Sequence, residues 1–596
     1  MIDLSRLTAR NRAFEAWLGD HAQQLFARFP KLGVDESTLL LVFAAAIGVG
    51  VALAVITFYT LIDVFREIAV GSANLLGAIG NFSILVVVVA GLLVARLLVR
   101  VGANDSDGQN IPDVTRAVAK RGGLVPSFPV AVKTVGSAVT IGFGGAAGAE
   151  GPVAVAGSAI GSKFGRIFKS GPSRLRVLVA CGAAAGISAA FNAPIGGVFF
   201  SLEKVVGNFG VASFPPVLVA SVLSAVIARA VFGNSPVIEI PTEYGVGSPH
   251  ELVLYALLGV ITGVVAVLYA RAVNSGDRFV GGPKLIWYRL AAAALVVGAL
   301  DIVFREDLWG RGHESFTFAM IGNRTALFLI ALAFAKLIAT AVTLAVTRAG
   351  GTFTPALFIG ATLGGGLAVA GGQFIPGFTI EPEAFALVGM TGFIAGSTHA
   401  PLTAIMIVFE MTSDYALILP LMLCGAVALI TAKRIYPESI YSEWLVKRGE
   451  NIYRGKDTAI LERLKVRDSF NNDPNVIGEN ASVPQVVAAI TASTQIEFPV
   501  LDDDLTLVGM ISQEDIRTVL AEAQTLAPVV LAGDLAHHQF ESVTPDDSLR
   551  TALQRLAVRG SHHIPVIDGE NKGRLVGLIS RQEILAAYDR ELLREQ

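Results

Sequence analysis

The chain has 596 residues, of which 53% are hydrophobic and 16% are charged, and its mean hydropathy is +0.61. Soluble domains usually carry about 25% charged residues, so this composition excludes a wholly soluble protein. The formal net charge of −3 points to no particular partner, and the two cysteines, Cys181 and Cys424, lie in apolar stretches, which argues against a disulfide framework.

The first predicted elements are an N-terminal segment, residues 1–36, and a membrane region that begins at Ser37. Ser37–Ile62 runs for 26 residues without a charge, whereas a helix needs roughly 20 residues to cross a bilayer. The N-terminal segment has no signal-peptide core and carries bases that predict a cytoplasmic N-terminus: Arg6, Arg10, Arg12, Arg28 and Lys31. Six further apolar stretches predict a polytopic membrane protein: Ile68–Ala95, Val177–Leu202, Leu252–Ala270, Ala291–Leu300, Ala326–Thr347 and Tyr415–Ala432.

Two motifs in this region occur twice and in the same order. EGPVAVAGSAIG (Glu150–Gly161) aligns with FTPALFIGATLG (Phe353–Gly364), because each has glycines five and nine residues after a proline. APIGGVFFSLE (Ala193–Glu203) aligns with APLTAIMIVFE (Ala400–Glu410), and the two prolines are 42 residues apart in the first half and 46 in the second. The pattern indicates an internally duplicated transport core with its substrate site between the halves.

Pro152 and Pro355 predict helix N-termini, where proline is favoured because no intrahelical hydrogen bond is lost. Helix N-termini present free N–H groups and a partial positive charge. Several such ends aimed at one point bind an anion and still release it easily. Glu150 is predicted to occupy this site as a tethered competitor of the anion; the alternative is an interfacial acid that caps its own helix.

Three motifs together resemble the anion-pore motifs of the CLC chloride channel and transporter family: GAEGP (Gly148–Pro152), GTFTP (Gly351–Pro355) and DGQNIP (Asp107–Pro112). SIYSEWL (Ser439–Leu445) resembles the segment that carries the pore tyrosine of that family. The resemblance covers residues 37–445 and implies a CLC-like transmembrane core, α-helical, with an inverted internal repeat. It also implies a homodimer with one pore in each subunit, and chloride or a similar anion as the substrate.

The family pattern implies roles for individual residues. Glu150 would be the gating glutamate, and the Tyr441 hydroxyl would donate to the central anion from the cytosolic side. The other anion-binding positions would be Gln109, Ala149, Gly151, Thr352 and Phe353.

Three positions depart from the family pattern. Gln109 replaces a serine, which keeps a hydrogen-bond donor but leaves the preference among chloride, nitrate and bromide open. Ala149 replaces a basic residue and so weakens the local positive field. Lys204, which follows the retained acid Glu203, replaces a second glutamate that relays protons in the proton-coupled members.

Adjacent helix residues point about 100° apart, so Glu203 cannot simply replace the lost acid. The sequence therefore predicts a passive chloride channel, gated by voltage or pH. One alternative stays open: Lys204 only extends to the cytosolic interface, while protons use water or another acid in an H⁺-coupled antiporter.

Downstream of Tyr436 the chain is charge-rich, and residues 446–596 are predicted to form a separate cytosolic module. Phe498–Leu520 aligns with Ile564–Tyr588, and each copy predicts a strand, an acidic turn, a second strand and a helix. Helical runs precede the copies, at Val483–Thr494 and Ser548–Val558. The module resembles a tandem α/β pair of CBS domains, at residues 467–525 and 530–590.

Paired CBS units often bind adenine nucleotides through a Ser/Thr-x-x-Asp element. That element is matched here by Ser512 with Asp515 and, less closely, by Ser580 with Glu583. The alternative is that both serines cap the helices that follow.

Neither Cys/His ligand spacing nor a nucleophile elbow or Walker loop is present, so we expect no enzyme, no metal site, no required cofactor and no nucleic-acid partner. A CBS-regulated transporter of a different ion, such as a cation, is the remaining rival, although the spans offer few acids to line its path. The sequence predicts an integral protein of the cell or inner membrane that transports chloride.

Overall fold

The computed structural model describes most of the chain as two compact units, Met1–Asn451 and Ile452–Gln596. Gln109 and the basic N-terminal cluster lie outside the described residues. The residues described are 36–77, 80, 82–103, 110–207, 213–233, 251–280, 287–304, 308–309, 324–374, 381–448, 450, 456–493, 495–513, 515, 530–559, 561–569 and 573–595.

The first unit is built of helices. In chain order they are α1 (Glu36–Leu75), α2 (Phe82–Ala103), α3 (Ile111–Lys120), α4 (Ser127–Gly142), α5 (Glu150–Ile167), α6 (Pro172–Phe191), α7 (Pro194–Phe200) with a π-helical turn (Ser201–Val206), α8 (Phe214–Phe232), α9 (Glu251–Val280), α10 (Trp287–Phe304), α11 (Ala326–Thr347), α12 (Phe353–Phe374), α13 (Pro382–Thr398), α14 (Pro401–Thr412), α15 (Ile418–Ile435), which follows a 3₁₀ turn (Tyr415–Leu417), and α16 (Ser442–Lys447).

Nine helices in the described part of the chain are long and apolar enough to cross a membrane. This confirms the prediction of a polytopic helical membrane protein, but several boundaries differ. Helix α1 continues to Leu75, so the predicted stretch Ile68–Ala95 is divided between α1 and α2. The stretch Val177–Leu202 is also divided, because Asn192 is left-handed with φ of 56° and Pro194 begins a new helix.

Helix packing explains the glycines of the repeated motifs. Gly157 lets α5 lie directly on α6, because a Cβ at this position would overlap the backbone carbonyl of Gly182. In the second half, a Cβ on Gly360 would be 2.5 Å from the Gly389 carbonyl oxygen, so α12 lies on α13 in the same way. Small residues that allow close backbone approach are typical of helix pairs in membranes.

The second unit contains the two predicted strand–turn–strand repeats. Its elements are α17 (Lys456–Arg463), β1 (Ile477–Gly478), α18 (Val483–Thr491), β2 (Glu497–Leu501), β3 (Leu507–Ser512), α19 (Ala532–Leu535), α20 (Leu549–Arg559), β4 (His563–Ile567), β5 (Leu575–Ser580) and α21 (Arg581–Glu595).

The two repeats pair their strands in the same register. Glu497 lies opposite Ser512 in the antiparallel β2–β3 pair, and His563 lies opposite Ser580 in the antiparallel β4–β5 pair. Strand β1 adds to β2 in parallel. Each repeat buries its own apolar core, one around Phe498 and Ile511 and the other around Ile564 and Ile579.

Candidate functional site

The beginnings of α5 and α12 lie against each other at the centre of the first unit. The Gly148 amide donates to the Gly351 carbonyl at 2.8 Å, and the Gly351 amide donates to the Gly148 carbonyl at 2.7 Å. Helix α5 begins two residues after Gly148, and α12 begins two residues after Gly351. The positive ends of the two helix dipoles therefore converge on one small region.

Both turns need glycine because the two halves approach so closely. A Cβ on Gly351 would lie 2.8 Å from the backbone nitrogen of Gly151 and 3.0 Å from the Gly148 carbonyl oxygen. A Cβ on Gly148 would overlap the carboxylate of Glu150. The glycines of the GAEGP and GTFTP motifs thus keep the helix ends and the acid together.

The Glu150 carboxylate reaches from one half of the unit to the other. Its Oε2 accepts a hydrogen bond from the Thr354 amide at 3.2 Å, and its Oε1 accepts one from the Thr354 hydroxyl. The residue is only 3% exposed. These bonds go to the first turn of α12, a position that suits any anion, as the prediction of a tethered competitor requires.

Thr352, Phe353 and Tyr441 lie around the start of α12. The Thr352 hydroxyl donates to the Tyr441 hydroxyl oxygen at 3.4 Å, and the Thr352 carbonyl accepts a hydrogen bond from the Tyr269 hydroxyl at 2.8 Å. Phe353 is buried against Phe191, with ring centroids 5.4 Å apart.

A short hydrogen-bonded turn fixes Tyr441. The Ser439 amide donates to the Ser442 hydroxyl oxygen at 2.7 Å, and the Tyr441 amide donates to the Ser439 hydroxyl oxygen at 3.3 Å. Tyr441 itself is 5% exposed. These hydrogen bonds hold the turn in the conformation that places the Tyr441 hydroxyl beside Thr352.

A cavity of about 220 Å³, which we call the Tyr441 cavity, opens beside this turn. It is large enough for several water molecules or for a hydrated anion. Two cationic residues and several hydrogen-bond donors line it, among them Asn110, Lys133, Arg348, Gly151, Thr352 and Tyr441. Gln109, an anion-binding position implied by the family resemblance, lies outside the described residues, but the adjacent Asn110 lines this cavity.

Lys133 and Arg348 were not predicted from the sequence to lie at this site. Lys133 is the only charged residue of the otherwise apolar helix α4, and a lone charge inside an apolar helix is a signal that was available. Arg348 ends α11 in a left-handed conformation with φ of 54°, and no feature of the sequence marks it.

Ala149 and Gly151 flank Glu150 without offering side-chain chemistry. Ala149 precedes α5 and is 2% exposed. Gly151 lies so close to Gly351 that a Cβ would be 2.9 Å from the Gly351 Cα. Only their backbone atoms are available to a ligand.

Glu203 and Glu410 make matching contacts across the two halves. The Glu203 carboxylate accepts hydrogen bonds from the Thr403 amide at 3.0 Å and from the Thr403 hydroxyl at 2.7 Å, at the start of α14. The Glu410 carboxylate accepts hydrogen bonds from the Ile195 amide at 2.9 Å and the Gly196 amide at 2.6 Å, at the start of α7. Helices α7 and α14, which both begin at an Ala-Pro pair, are thus each capped by the acid of the other copy.

Lys204 does not extend to a surface, which corrects one of the sequence-based alternatives. The residue is 4% exposed, and its Nζ donates to the His399 carbonyl at 2.9 Å. The cation is therefore seated inside the helical unit, at the end of α13.

In the second unit, Ser512 and Ser580 hydrogen-bond to the acids three residues later. Ser580 directly precedes α21, whereas most of the predicted helix after Ser512 lies outside the described residues. The Ser512 amide and hydroxyl donate to Asp515 at 2.8 and 2.7 Å, and the Ser580 amide and hydroxyl donate to Glu583 at 2.7 and 2.9 Å. Each acid's amide donates back to the serine hydroxyl, which completes a capping box. The geometry is that of the capping alternative.

Asp515 has an additional partner. His537 Nε2 lies 2.9 Å from Asp515 Oδ1. Burial alone would raise the pKa of Asp515, but the hydrogen bonds from Ser512 and His537 outweigh it and hold the pKa below the ordinary value of 3.8.

Comparison with known families identifies both parts of the chain. A family model described as "Voltage gated chloride channel" matches residues 86–433, and the CBS-domain model matches residues 466–522 and 532–590.

Named relatives include proteins described as exchangers and as channels. The chain is 30% identical over 444 residues to the "H(+)/Cl(-) exchange transporter ClcA" of Citrobacter koseri, across 72% of this chain and 92% of that protein. It is 28% identical over 557 residues to the "Chloride channel protein CLC-f" of Arabidopsis thaliana, across 79% of this chain and 70% of that protein.

Solved structures share the fold. A slow cyanobacterial Cl⁻/H⁺ antiporter matches with a TM-score of 0.63 at 26% identity, over 70% of this chain and 98% of that one. A eukaryotic CLC transporter matches with a TM-score of 0.61 at 21% identity, over 92% of this chain and 99% of that one.

Proposed function

The chain belongs to the CLC family of voltage-gated chloride channels and carries two CBS domains, and we propose that it conducts chloride passively through a pore gated by Glu150. Transport of anions across a membrane is the activity of the family, and the chain is an integral membrane protein. The proposal adds three points: the anion is chloride or a close analogue, the gate is a carboxylate, and proton movement is not coupled to anion flux.

One observation supports Glu150 as the gate: its carboxylate lies on the first turn of α12. The carboxylate accepts hydrogen bonds from the Thr354 amide and hydroxyl, so it fills the place where a chloride ion would meet the helix end. A protonated carboxyl has no negative charge and competes poorly for these donors. Anion flux is therefore expected to rise as the pH falls.

Passive conduction is supported by the surroundings of residues 203 and 204. Lys204 stands where the family pattern has an acid that relays protons, and its ammonium donates to the His399 carbonyl. The adjacent acid, Glu203, accepts hydrogen bonds from Thr403 and is not among the residues that line the Tyr441 cavity.

One observation favours a second candidate, a proton-coupled exchanger. Asp113 lines the Tyr441 cavity, and its Oδ2 lies 3.3 Å from the Asn110 amide that donates to it. Gly151, the neighbour of Glu150, lines the same cavity, so Asp113 is the candidate for a proton relay to Glu150. The relatives described as H⁺/Cl⁻ exchangers make this candidate worth a direct test.

The test is a simultaneous measurement of chloride and proton flux. Full-length protein in liposomes is given an outward chloride gradient, with potassium and valinomycin to balance the charge, and both ions are followed with electrodes. Passive conduction predicts chloride efflux without uphill proton movement. Sustained proton uptake that disappears in Asp113→Asn, but persists in the matched variant Asp414→Asn outside the cavity, would establish the exchanger instead.

We also propose a homodimer with the N-terminus and the second unit on the cytoplasmic side. Light scattering of the purified protein measures the first point, and protease access in sealed vesicles of known orientation measures the second.

Adenine nucleotide binding by the CBS pair stays a prediction. Titration of ATP and AMP onto the full-length protein tests it, and an absence of binding at millimolar nucleotide would leave Ser512 and Ser580 with their capping role alone.

A further inference from the structure

Lys204 is a buried cation whose position in the family pattern belongs to an acid. A charged side chain inside a membrane protein needs a specific partner. Its Nζ donates to the His399 carbonyl at 2.9 Å. His399 is the residue that caps the C-terminus of α13 (Pro382–Thr398). A cation at a helix C-terminus is stabilised both by the hydrogen bond and by the helix dipole.

The end of α13 leads directly to Tyr441. The Ser397 carbonyl accepts a hydrogen bond from the Ile440 amide at 2.9 Å, and Ile440 immediately precedes Tyr441. The Ser397–His399 segment therefore connects the Lys204 ammonium to the turn that presents the Tyr441 hydroxyl.

The main chain of Lys204 makes a second contact, with helix α3. Lys204 lies among the last residues of its helical turn, where carbonyl groups lack an intrahelical donor, and its carbonyl accepts from the Thr115 hydroxyl at 2.8 Å. Thr115 is on α3 (Ile111–Lys120), and residues 110–113 at the start of α3 line the Tyr441 cavity.

We propose that Lys204 is a positioning residue that holds the α3 wall and the Tyr441 wall of the Tyr441 cavity at a fixed separation, and so sets how tightly the cavity binds an anion. The inference rests on the proposed anion site at Tyr441. It gives the substitution at position 204 a function of its own, beyond the loss of a proton acceptor. Lys204 joins elements from opposite halves of the duplicated core, because its ammonium contacts the end of α13 and its main-chain carbonyl contacts α3.

Calorimetric titration of chloride into the full-length protein in detergent tests the inference. Lys204→Met keeps the length of the side chain and removes the donor, and we expect it to weaken chloride binding about tenfold, as for the loss of one buried hydrogen bond. Lys204→Arg keeps a donor and is expected to bind within about threefold of the unmodified protein. Thr115→Val breaks the other contact, and the double variant Lys204→Met/Thr115→Val should bind no more weakly than Lys204→Met alone, since both changes break one link.

Lys433→Met is the matched control. Lys433 on α15 (Ile418–Ile435) is exposed, and its charge acts on Lys204 without a hydrogen bond to it. Chloride affinity within about twofold of the unmodified protein is expected for this variant. An equal loss of affinity in Lys433→Met and Lys204→Met would show that net positive charge matters and would overturn the inference.

A second readout separates positioning from general loosening. The pH of half-maximal chloride flux depends on Glu150 at the α12 start and should stay unchanged in Lys204→Met. The inference would also be overturned if Lys204→Met bound chloride as tightly as the unmodified protein. The same holds if every variant with weaker chloride binding also showed a shifted pH of half-maximal flux. If Lys204→Met does not fold, Thr115→Val alone decides by the same criteria. Failure of the proposed function is distinguishable, because it would appear as uphill proton movement in the unmodified protein.

Discussion

The two halves of the membrane unit share one framework but divide the chemistry between them. Gly148 and Gly351 form the same turn and hydrogen-bond to each other, and the acids Glu203 and Glu410 cap each other's helices. The framework is thus symmetric in its glycines, prolines and capping acids.

The residues placed on that framework are not symmetric. The first half supplies the acceptor, Glu150, and the second half supplies the donors, the amide and hydroxyl of Thr354. Lys204 follows Glu203, whereas Met411 follows Glu410. The duplication therefore brings two helix N-termini together, while the residues that differ between the halves determine the chemistry at that point.

Removal of the acceptor should have the largest effect. Glu150→Gln imitates a permanently protonated gate, and we expect chloride flux at pH 7.5 to rise on the order of tenfold or more, because hydrogen bonds to a charged group contribute roughly 1.5–3 kcal/mol. Flux should also lose its pH dependence. The measurement is efflux from liposomes between pH 4.5 and 8, and a pH profile that persists in this variant would remove Glu150 from the gate.

Alanine at the two paired glycines, Gly351 and Gly148, should have opposite effects on chloride flux. In Gly351→Ala the new Cβ meets backbone atoms, the nearest being the Gly151 nitrogen at 2.8 Å, which cannot yield. Overpacking of this kind costs roughly 1–3 kcal/mol, so we expect a lower unfolding temperature and little flux.

Gly148→Ala is the matched variant in the other half. Its nearest contact is the flexible Glu150 carboxylate, which is able to move away. The variant should keep most of its stability and conduct faster than the unmodified protein at neutral pH. Calorimetric unfolding and liposome efflux measure the two effects, and equal behaviour of both alanine variants would contradict the division between the halves.

Thr354→Val sharpens the comparison on the donor side. The change removes the hydroxyl that stabilises the charged form of Glu150 but keeps the backbone amide. The carboxylate then keeps one of its two hydrogen bonds to Thr354 and competes less well with the anion, so chloride flux at pH 7.5 should rise several-fold, to about tenfold. Thr352→Val, whose hydroxyl donates to Tyr441 instead, is the control and should leave this flux unchanged in liposome efflux.

The smallest effects are expected in the second duplicated region, where both copies have the same cap. Ser512→Ala and Ser580→Ala should each lower the free energy of unfolding by about 1 kcal/mol. The pKa of Asp515 is held below 3.8, so its contribution is present above about pH 4 and is lost as the pH falls through the lowered pKa. Calorimetry of the full-length protein should therefore show the Ser512→Ala effect shrinking in acid.

Much of the fold could be predicted because it depends on local rules. Proline after a glycine turn marks the starts of α5 and α12, and the strand repeats were visible because the segment occurs twice with the same acidic turn. Two of the described spans, Phe214–Phe232 and Phe353–Gly372, were not predicted as apolar stretches. A pair of prolines and two serines interrupt the first apolar run, and glycines lower the hydropathy of the second.

The contacts at the site were less predictable because they join residues far apart in the chain. The sequence indicated a competitor carboxylate at Glu150 but not its partner Thr354, which is 204 residues away. Likewise, the partner of Lys204 is a backbone carbonyl, His399, 195 residues later. Backbone acceptors leave no mark in the side-chain pattern, so only the folded structure identifies them.

The exchange of capping acids between the halves has a consequence for biosynthesis. The Ile195 amide, at the start of α7, receives its carboxylate from Glu410, which is 215 residues further along the chain. At a ribosomal speed of 5–20 residues per second, this donor waits roughly 10 to 40 s for its acceptor. The start of α7 therefore leaves the ribosome before the carboxylate that caps it in the folded protein has been synthesised.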